Sequence, residues 1–360
     1  MAFALPGLVV ASASGQTWSG SAKVQTGLGY KDNLLLSHAG AVGSGFARGG
    51  VELFGWHLPQ QPDGRTDYFG YFKADGTRYF STAAVDHEAD AYAVAEWRYR
   101  IGEVFKFTLD AKGFYRDEVF DVSDTDLLRS VAQLKVVGAK VGPTIHWAPR
   151  PWWWIEGEVT GKRESYDDGL NNGGVAESSL QLGWKPSSRF KASVSGSTRQ
   201  RKFDRREQYS VSGRPLTGTL LRISEREGEA RGDVTWDQAA HWKTVTRVSV
   251  LHYTDNDSGY FNYHQRKARQ SVEWTSGAWF ASLEGSARRV EFEVQTVGIG
   301  ISPPTRMKEE FTAELRVERK LSDRWTLFGE FTWERSRCND LVASYRMNEG
   351  LLGATWSWEK

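Results

Sequence analysis

The sequence predicts an all-β fold: a transmembrane antiparallel β-barrel of about sixteen strands (range fourteen to eighteen), with short periplasmic turns and long extracellular loops. Three observations predict it. Apolar and polar residues alternate with a period of two over stretches of about ten residues. Short and long connections alternate along the chain. Aromatic residues, 13% of the total and including 16 Trp, collect at the ends of the apolar faces.

Bulk composition agrees with such a wall. Hydrophobic residues make up 39% of the 360, and mean hydropathy is −0.53. No stretch reaches the ~18 continuous apolar residues of a membrane helix. A barrel wall needs apolar residues only at alternate positions. The 46 basic and 45 acidic side chains leave a net charge of +1, which gives no bulk attraction to nucleic acid. Cys338 is the single cysteine, so no internal disulfide can form, in keeping with an oxidising periplasm. Residues 1–13 form a short apolar stretch ending in Ala11-Ser12-Ala13, a cleavage-like pattern without a basic leader. They are expected to be a truncated signal peptide, and residues 14–360 a single barrel.

The elements follow in order. Ala91, Ala93, Ala95, Trp97, Tyr99 and Ile101 form an apolar face against Asp90, Glu96, Arg98 and Arg100. Beyond a Gly102-Glu103 turn, Phe105, Phe107, Leu109, Ala111 and Gly113 oppose Lys106, Thr108, Asp110 and Lys112. Trp153 follows the turn at Pro149. Ala176, Leu180, Leu182 and Trp184 precede Pro186-Ser187-Ser188, and Phe190, Ala192, Val194 and Gly196 leave it opposite Lys191, Ser193, Ser195 and Ser197. Gly228, Ala230, Gly232, Val234 and Trp236 oppose Glu229, Arg231 and Asp233, while Lys267, Arg269 and Glu273 take the polar face of a later strand. Trp279, Ala281, Leu283, Gly285 and Ala287 oppose Ser282, Glu284, Ser286 and Arg288.

Met307, Phe311, Ala313, Leu315 and Val317 then oppose Lys308, Glu310, Thr312, Glu314, Arg316, Glu318 and Lys320, with Glu309 breaking the apolar set near one end. After the tight turn Leu321-Ser322-Asp323-Arg324, the face Trp325, Leu327, Gly329, Phe331 and Trp333 opposes Thr326, Glu330, Thr332 and Glu334, with Phe328 out of phase. Its terminal tryptophans stand roughly 27 Å apart at ~3.4 Å per residue, matching a lipid band between two girdles. Leu352, Ala354, Trp356 and Trp358 close the chain. The tryptophans named here, with Tyr99, are the expected membrane-interface aromatics.

Short turns fall near Pro62, Gly102, Pro149, Pro186, Ala240, Ser276 and Ser322. Each joins two strands and two terminal strands remain, hence about sixteen. Longer polar stretches such as 166–173 and 255–259 separate them. A soluble sandwich has strands of ~5–6 residues and no reason for aromatic ends, and a propeller would show a repeated blade motif.

Catalytic signals are weak. Seven histidines are scattered, with no HExxH, no G-x-S-x-G and no P-loop Lys-Ser/Thr in the Gly-rich stretches 40–50 and 169–174, which are expected to be flexible loops. His252 and His264 flank one outer loop with Asp255 and Asp257; solvated loop residues are favoured there over a metal or acid–base site. Asp167-Asp168-Gly169 with Asn171-Asn172, and Asp255-Asn256-Asp257, resemble calcium-loop fragments without the closing Glu. No catalytic residue, cofactor or metal is expected. The inward-facing charges named above from Glu96 to Glu334, Lys191 and Lys320 apart, are expected to line a hydrated pore, as opposed acidic and basic strips or as cross-strand ion pairs. Neither sign dominates, so weak ion selectivity is expected. Trp152-Trp153-Trp154 fits interface anchors better than a sugar slide, though one face of the triplet must point inward.

The stretch Gly27-Leu28-Gly29-Tyr30-Lys31-Asp32-Asn33-Leu34-Leu35-Leu36-Ser37 resembles the GxxYDDNxxxS opening of outer-membrane β-barrel porins found with exopolysaccharide-synthesis operons; Lys31 stands where that pattern has an acidic residue. The resemblance covers about ten residues and implies a porin-like barrel that handles polysaccharide. Outer-membrane barrels also generally end in an aromatic assembly signal, which Trp356 and Trp358 fit in phase although Glu359-Lys360 extend beyond. Three functions are therefore expected in order: passive passage of small hydrophilic solutes, export of a polysaccharide with periplasmic export partners, and a blocked structural or enzymatic barrel. Outer-membrane lipids are partners in each.

Overall fold

A computed structural model describes residues 17–58, 65–80, 85–121, 131–237 and 241–359. The signal-peptide expectation for residues 1–13 and the turns at Pro62 and Ala240 lie outside the described residues. Sixteen strands are formed: β1 Thr17–Lys31, β2 Ser44–Leu58, β3 Thr66–Tyr79, β4 His87–Ile101, β5 Phe105–Asp121, β6 Val131–Arg150, β7 Trp153–Tyr166, β8 Gly173–Trp184, β9 Phe190–Tyr209, β10 Pro215–Asp237, β11 His241–Asp255, β12 Tyr263–Ser276, β13 Trp279–Thr296, β14 Thr305–Lys320, β15 Trp325–Cys338 and β16 Tyr345–Glu359. Each pairs antiparallel with its chain neighbours, and β1 pairs with β16, so the sheet closes.

Closure leaves no unpaired edge, the condition for strands to cross lipid. One end carries tight turns. Ser276 pairs with Trp279 across Gly277-Ala278, and Gly277 takes φ +55 where a side chain would be strained. The other end carries the longer loops. Strands run from 12 residues in β8 to 23 in β10, well past the ten expected. At ~3.3 Å per residue and ~40° of tilt, β10 rises roughly 58 Å against a ~25 Å apolar band, so the wall projects beyond the membrane on the loop side.

The register sorts the side chains. Leu283, Leu315 and Phe331 stand side by side on β13, β14 and β15, and all three are exposed. Leu28, Leu180, Val194 and Leu352 share that outer face, Leu352 with 74% of its surface uncovered. A continuous apolar band of this kind faces acyl chains, not water. The outer aromatics at the turn end touch edge to face, Trp147 with Trp153 at 5.6 Å and Trp97 with Phe107 at 5.9 Å. Trp97, Tyr99, Trp153, Trp184, Trp279, Trp325, Trp333, Trp356 and Trp358 all take outward positions in the ladder. Trp236 lies in β10 but its side chain is outside the described residues. The two girdles are uneven: aromatics crowd the turn end, while the loop end of the outer face carries few, such as Trp333 and Tyr115.

Two expectations change. The Gly-rich stretches 40–50 and 169–174 are not wholly loops, because β2 starts at Ser44 and β8 at Gly173. Glycine carries no side chain to reveal a period of two, so the strands were hidden there. Phe328 is out of phase because it faces inward, where it is buried.

Candidate functional site: the charged lumen

The inner face converges. Arg48 of β2 reaches over β1 to Glu349 of β16 at 2.7 Å, and Lys31 of β1 reaches Glu88 of β4 at 3.7 Å. Lys31 and Glu88 meet across two intervening strands, as side chains on the concave inner face of a closed wall can. The register puts every charge expected in the pore on this face: Glu96, Arg98, Arg100, Lys106, Asp110 and Lys112 on β4 and β5, Glu229, Arg231 and Asp233 on β10, Lys267, Arg269 and Glu273 on β12, Glu284 and Arg288 on β13, Lys308, Glu310, Glu314, Arg316 and Glu318 on β14, and Glu330 and Glu334 on β15.

Most of these groups meet an opposite charge nearby. Arg288 contacts Glu310 at 2.8 Å, and the buried Lys308 ammonium contacts the same carboxylate at 2.7 Å. Arg269 meets Glu284 at 2.5 Å, Arg231 meets Asp233 at 2.7 Å and Arg98 meets Glu96 at 2.5 Å. Arg316 contacts Glu318 at 2.6 Å, also contacts Glu330, and sits over the Phe328 ring at 4.6 Å. Lys112 lies 4.4 Å from the Tyr92 ring centre, and Glu334 accepts from the Tyr345 hydroxyl. Glu284 and Glu314 oppose each other directly in the ladder, a like-charge pair that Arg269 offsets. The charges are thus interleaved in cross-strand and same-strand pairs, not segregated into opposed strips.

A chamber of about 440 Å³ opens on this face. Its lining includes Glu52, Asp75, Glu88, Asp90, Glu118 and Glu330 against Arg48, Lys73 and Arg316, six carboxylates to three cations. Apart from Arg316 and Glu330, none of these was among the residues expected in the pore. The inner faces of β2 and β3 also carry Phe54, Trp56, Phe69 and Tyr71, so apolar residues stand on both sides and the alternation is masked. Phe54 lies 4.5 Å from Tyr71 and 6.3 Å from Phe69, and Tyr71 lies 5.3 Å from Tyr92, giving a run of tilted, half-buried rings along the lumen. The Trp152–Trp154 triplet splits as its spacing requires. Trp153 faces outward, and Trp154 is buried inside, stacked on His146 with Lys191 over its ring at 4.7 Å.

Residues of three outer loops pack into the mouth. Residues 256–262 carry Tyr260 and Phe261 into a buried cluster with Phe203, Leu221, Ile223, Tyr253, Tyr263, Val290 and Phe292. Across the barrel, Leu34 and Val85 join Phe46, Tyr79, Phe328 and Leu351. The calcium-like fragments have other work. Asp255 accepts backbone N–H bonds from Asp257, Gly259 and Phe261, and Asp168 accepts from Leu170 and Asn171. These carboxylates shape turns.

The 27–37 stretch closes the barrel seam. The Asp32 carboxylate accepts bonds from the Asn348 backbone at 2.7 Å and side chain at 2.6 Å. Asn33 accepts from Ser37 N at 2.8 Å and donates to the carbonyls of Ser37 and Arg346, both at 2.9 Å. Leu36 takes φ +49 between them and packs on Tyr345 and Met347. Lys31, the departure from the family pattern, is buried and paired with Glu88.

An apolar, aromatic-rimmed exterior around a charged interior, closed by sixteen antiparallel strands, defines an outer-membrane β-barrel, and the protein resides in the bacterial outer membrane. No family model matches the sequence, and no curated protein matches it. Among solved structures the chain is similar to an anion-selective porin from Comamonas acidovorans (TM-score 0.49, 9% identity, 95% of this chain and 100% of that one). It is also similar to in-vitro folded OmpT, an outer membrane protein of Vibrio cholerae (0.49, 10%, 98% and 100%), and to a bacterial polysaccharide outer membrane secretin (0.45, 10%, 94% and 98%). At these scores the likeness is in barrel architecture and says nothing about what crosses the lumen.

Proposed function

We propose that the protein is a passive channel for small hydrophilic solutes. The observation that carries this is the charged chamber of about 440 Å³ inside a barrel whose outer face is apolar. A wall this polar at sixteen strands encloses water. Along the wall on β4, β10 and β12–β14 the charges meet in opposite-sign pairs, which suits conduction more than catalysis. Six carboxylates against three cations favour cations in that chamber. Reconstitution of the full chain in a planar bilayer tests this: stepwise conductance with a modest cation preference is expected. A silent bilayer from correctly folded protein would point to the blocked, structural barrel.

Export of a polysaccharide, with periplasmic partners, is a second reading favoured by one observation. The rings of Phe54, Phe69, Tyr71 and Tyr92 lie in a row on the lumenal wall, where flat faces can stack on sugar. The 27–37 stretch supports it through its family resemblance. On this reading a soluble oligosaccharide reduces the ion current and Tyr71→Ala weakens that block. Under the first reading the sugar has no specific effect.

A further inference from the structure

We propose that His252, His264 and Glu293 form an outward-facing site for one divalent transition-metal ion of the zinc type. Sequence spacing pairs the two histidines with Asp255 and Asp257, but the Asp255 carboxylate accepts backbone N–H groups of its own turn. The carboxylate comes instead from Glu293 on β13. His252 and His264 face each other across the β11–β12 ladder, so both project from the same side of the wall. Their rings stack at 4.4 Å with 15° between planes. The Nε2 atoms lie 3.4 Å and 3.1 Å from the same Glu293 Oε1.

These separations suit an ion. Bonds of ~2.0–2.1 Å in a tetrahedron place neighbouring ligand atoms about 3.3 Å apart. The three ligand atoms already lie within 4.8 Å of one another. Glu293 is held for the purpose: Asn262 donates to its Oε2 at 2.9 Å, leaving Oε1 towards the histidines. Asn262 is itself fixed, accepting from the Asp255 backbone N–H at 2.8 Å. Two imidazoles with one carboxylate select zinc, copper or nickel over magnesium or calcium. The fourth position opens to the groove that the histidines share with Arg226 and Arg266, so water or an anion completes it. An ion here would tie β11, β12 and β13 together at the foot of the inward-folded 256–262 loop.

The competing arrangement is a bare triad in which two imidazole N–H groups share one carboxylate oxygen. Metal titration of the full chain, folded in detergent and stripped with chelator, separates the two. Calorimetry with Zn²⁺ is expected to show one ion per chain, and Co²⁺ to give the intense visible bands of a tetrahedral site. His264→Ala and Glu293→Gln are each expected to weaken binding at least tenfold, and Asn262→Ala by roughly 10–100-fold. His87→Ala, on a different part of the outer wall, should leave binding unchanged. Co²⁺ remaining octahedral with the folded chain, or a His252→Ala/His264→Ala double variant binding as the parent does, overturns the site. Glu293→Gln keeps the test decisive if the histidine variants do not fold.

Discussion

Arg316 shows how one side chain on the wall differs from the next. Its guanidinium lies among Glu318, Glu330 and the face of Phe328, inside the barrel and beside water. Arg316→Glu therefore changes the chamber charge by two units while the fold survives. Reversal potentials across a salt gradient should move towards cations. The adjacent Leu315 stands between Leu283 and Phe331 on the outer face. Leu315→Arg puts a cation in acyl chains and should cost about 2–4 kcal/mol near the midplane, read from the denaturant midpoint in lipid. A harmless Leu315→Arg with a lethal Arg316→Glu would mean that the two faces are exchanged. Aromatic positions resolve in the same way, as Trp153 and Trp154 are consecutive yet one faces lipid and the other His146.

Among the elements, the β1–β16 seam is the most demanding. It joins the two ends of the chain, so its pairing has the largest sequence separation in the molecule. A Cβ on Gly29 would meet the Gly350 carbonyl at 2.4 Å and the Phe46 ring at 2.4 Å. One on Gly353 would meet the Thr26 carbonyl at 2.4 Å and the Phe328 ring at 2.5 Å. Gly353→Val is expected to block closure, seen as loss of the compact heat-modifiable band on a gel. Asp32→Ala removes two bonds to Asn348 and should cost about 1–3 kcal/mol while the barrel still closes. On one side of this seam, β2 and β3 were also the hardest strands to see in the sequence. Strands with one apolar face, such as β14 and β15, were legible residue by residue, and the seven short turns gave the strand number. On β2 and β3 the lumenal rings Phe54, Trp56, Phe69 and Tyr71 blur the period, which hid Glu52, Lys73 and Asp75. The His252–His264–Glu293 cluster was illegible for another reason: Glu293 lies 29 positions from His264, and only the β12–β13 pairing brings it near.

Across the whole molecule, the inner face changes from apolar at the loop side to charged further in. Two apolar clusters, one around Phe261 and one around Leu34, face each other across the mouth, and the charged lumen lies below them. Burying Tyr260 and Phe261 stabilises the inward fold of residues 256–262, since each large apolar side chain removed from water contributes roughly 1.5–3 kcal/mol. Asp255 reinforces the same fold through its three backbone N–H partners. The loop is therefore a fixed part of the entrance, and its contribution to resistance can be measured. Deleting residues 258–261 takes both rings out of the mouth and leaves the lumenal ion pairs of β13 and β14 in place. Single-channel conductance should rise, with ion preference little changed, because the carboxylate-rich chamber lies against the other wall. The paired measurement is decisive. Higher conductance at constant selectivity places the size limit at the loop and the charge filter in the chamber, whereas unchanged conductance would move the narrowest point down among Arg48, Glu52, Arg316 and Glu330.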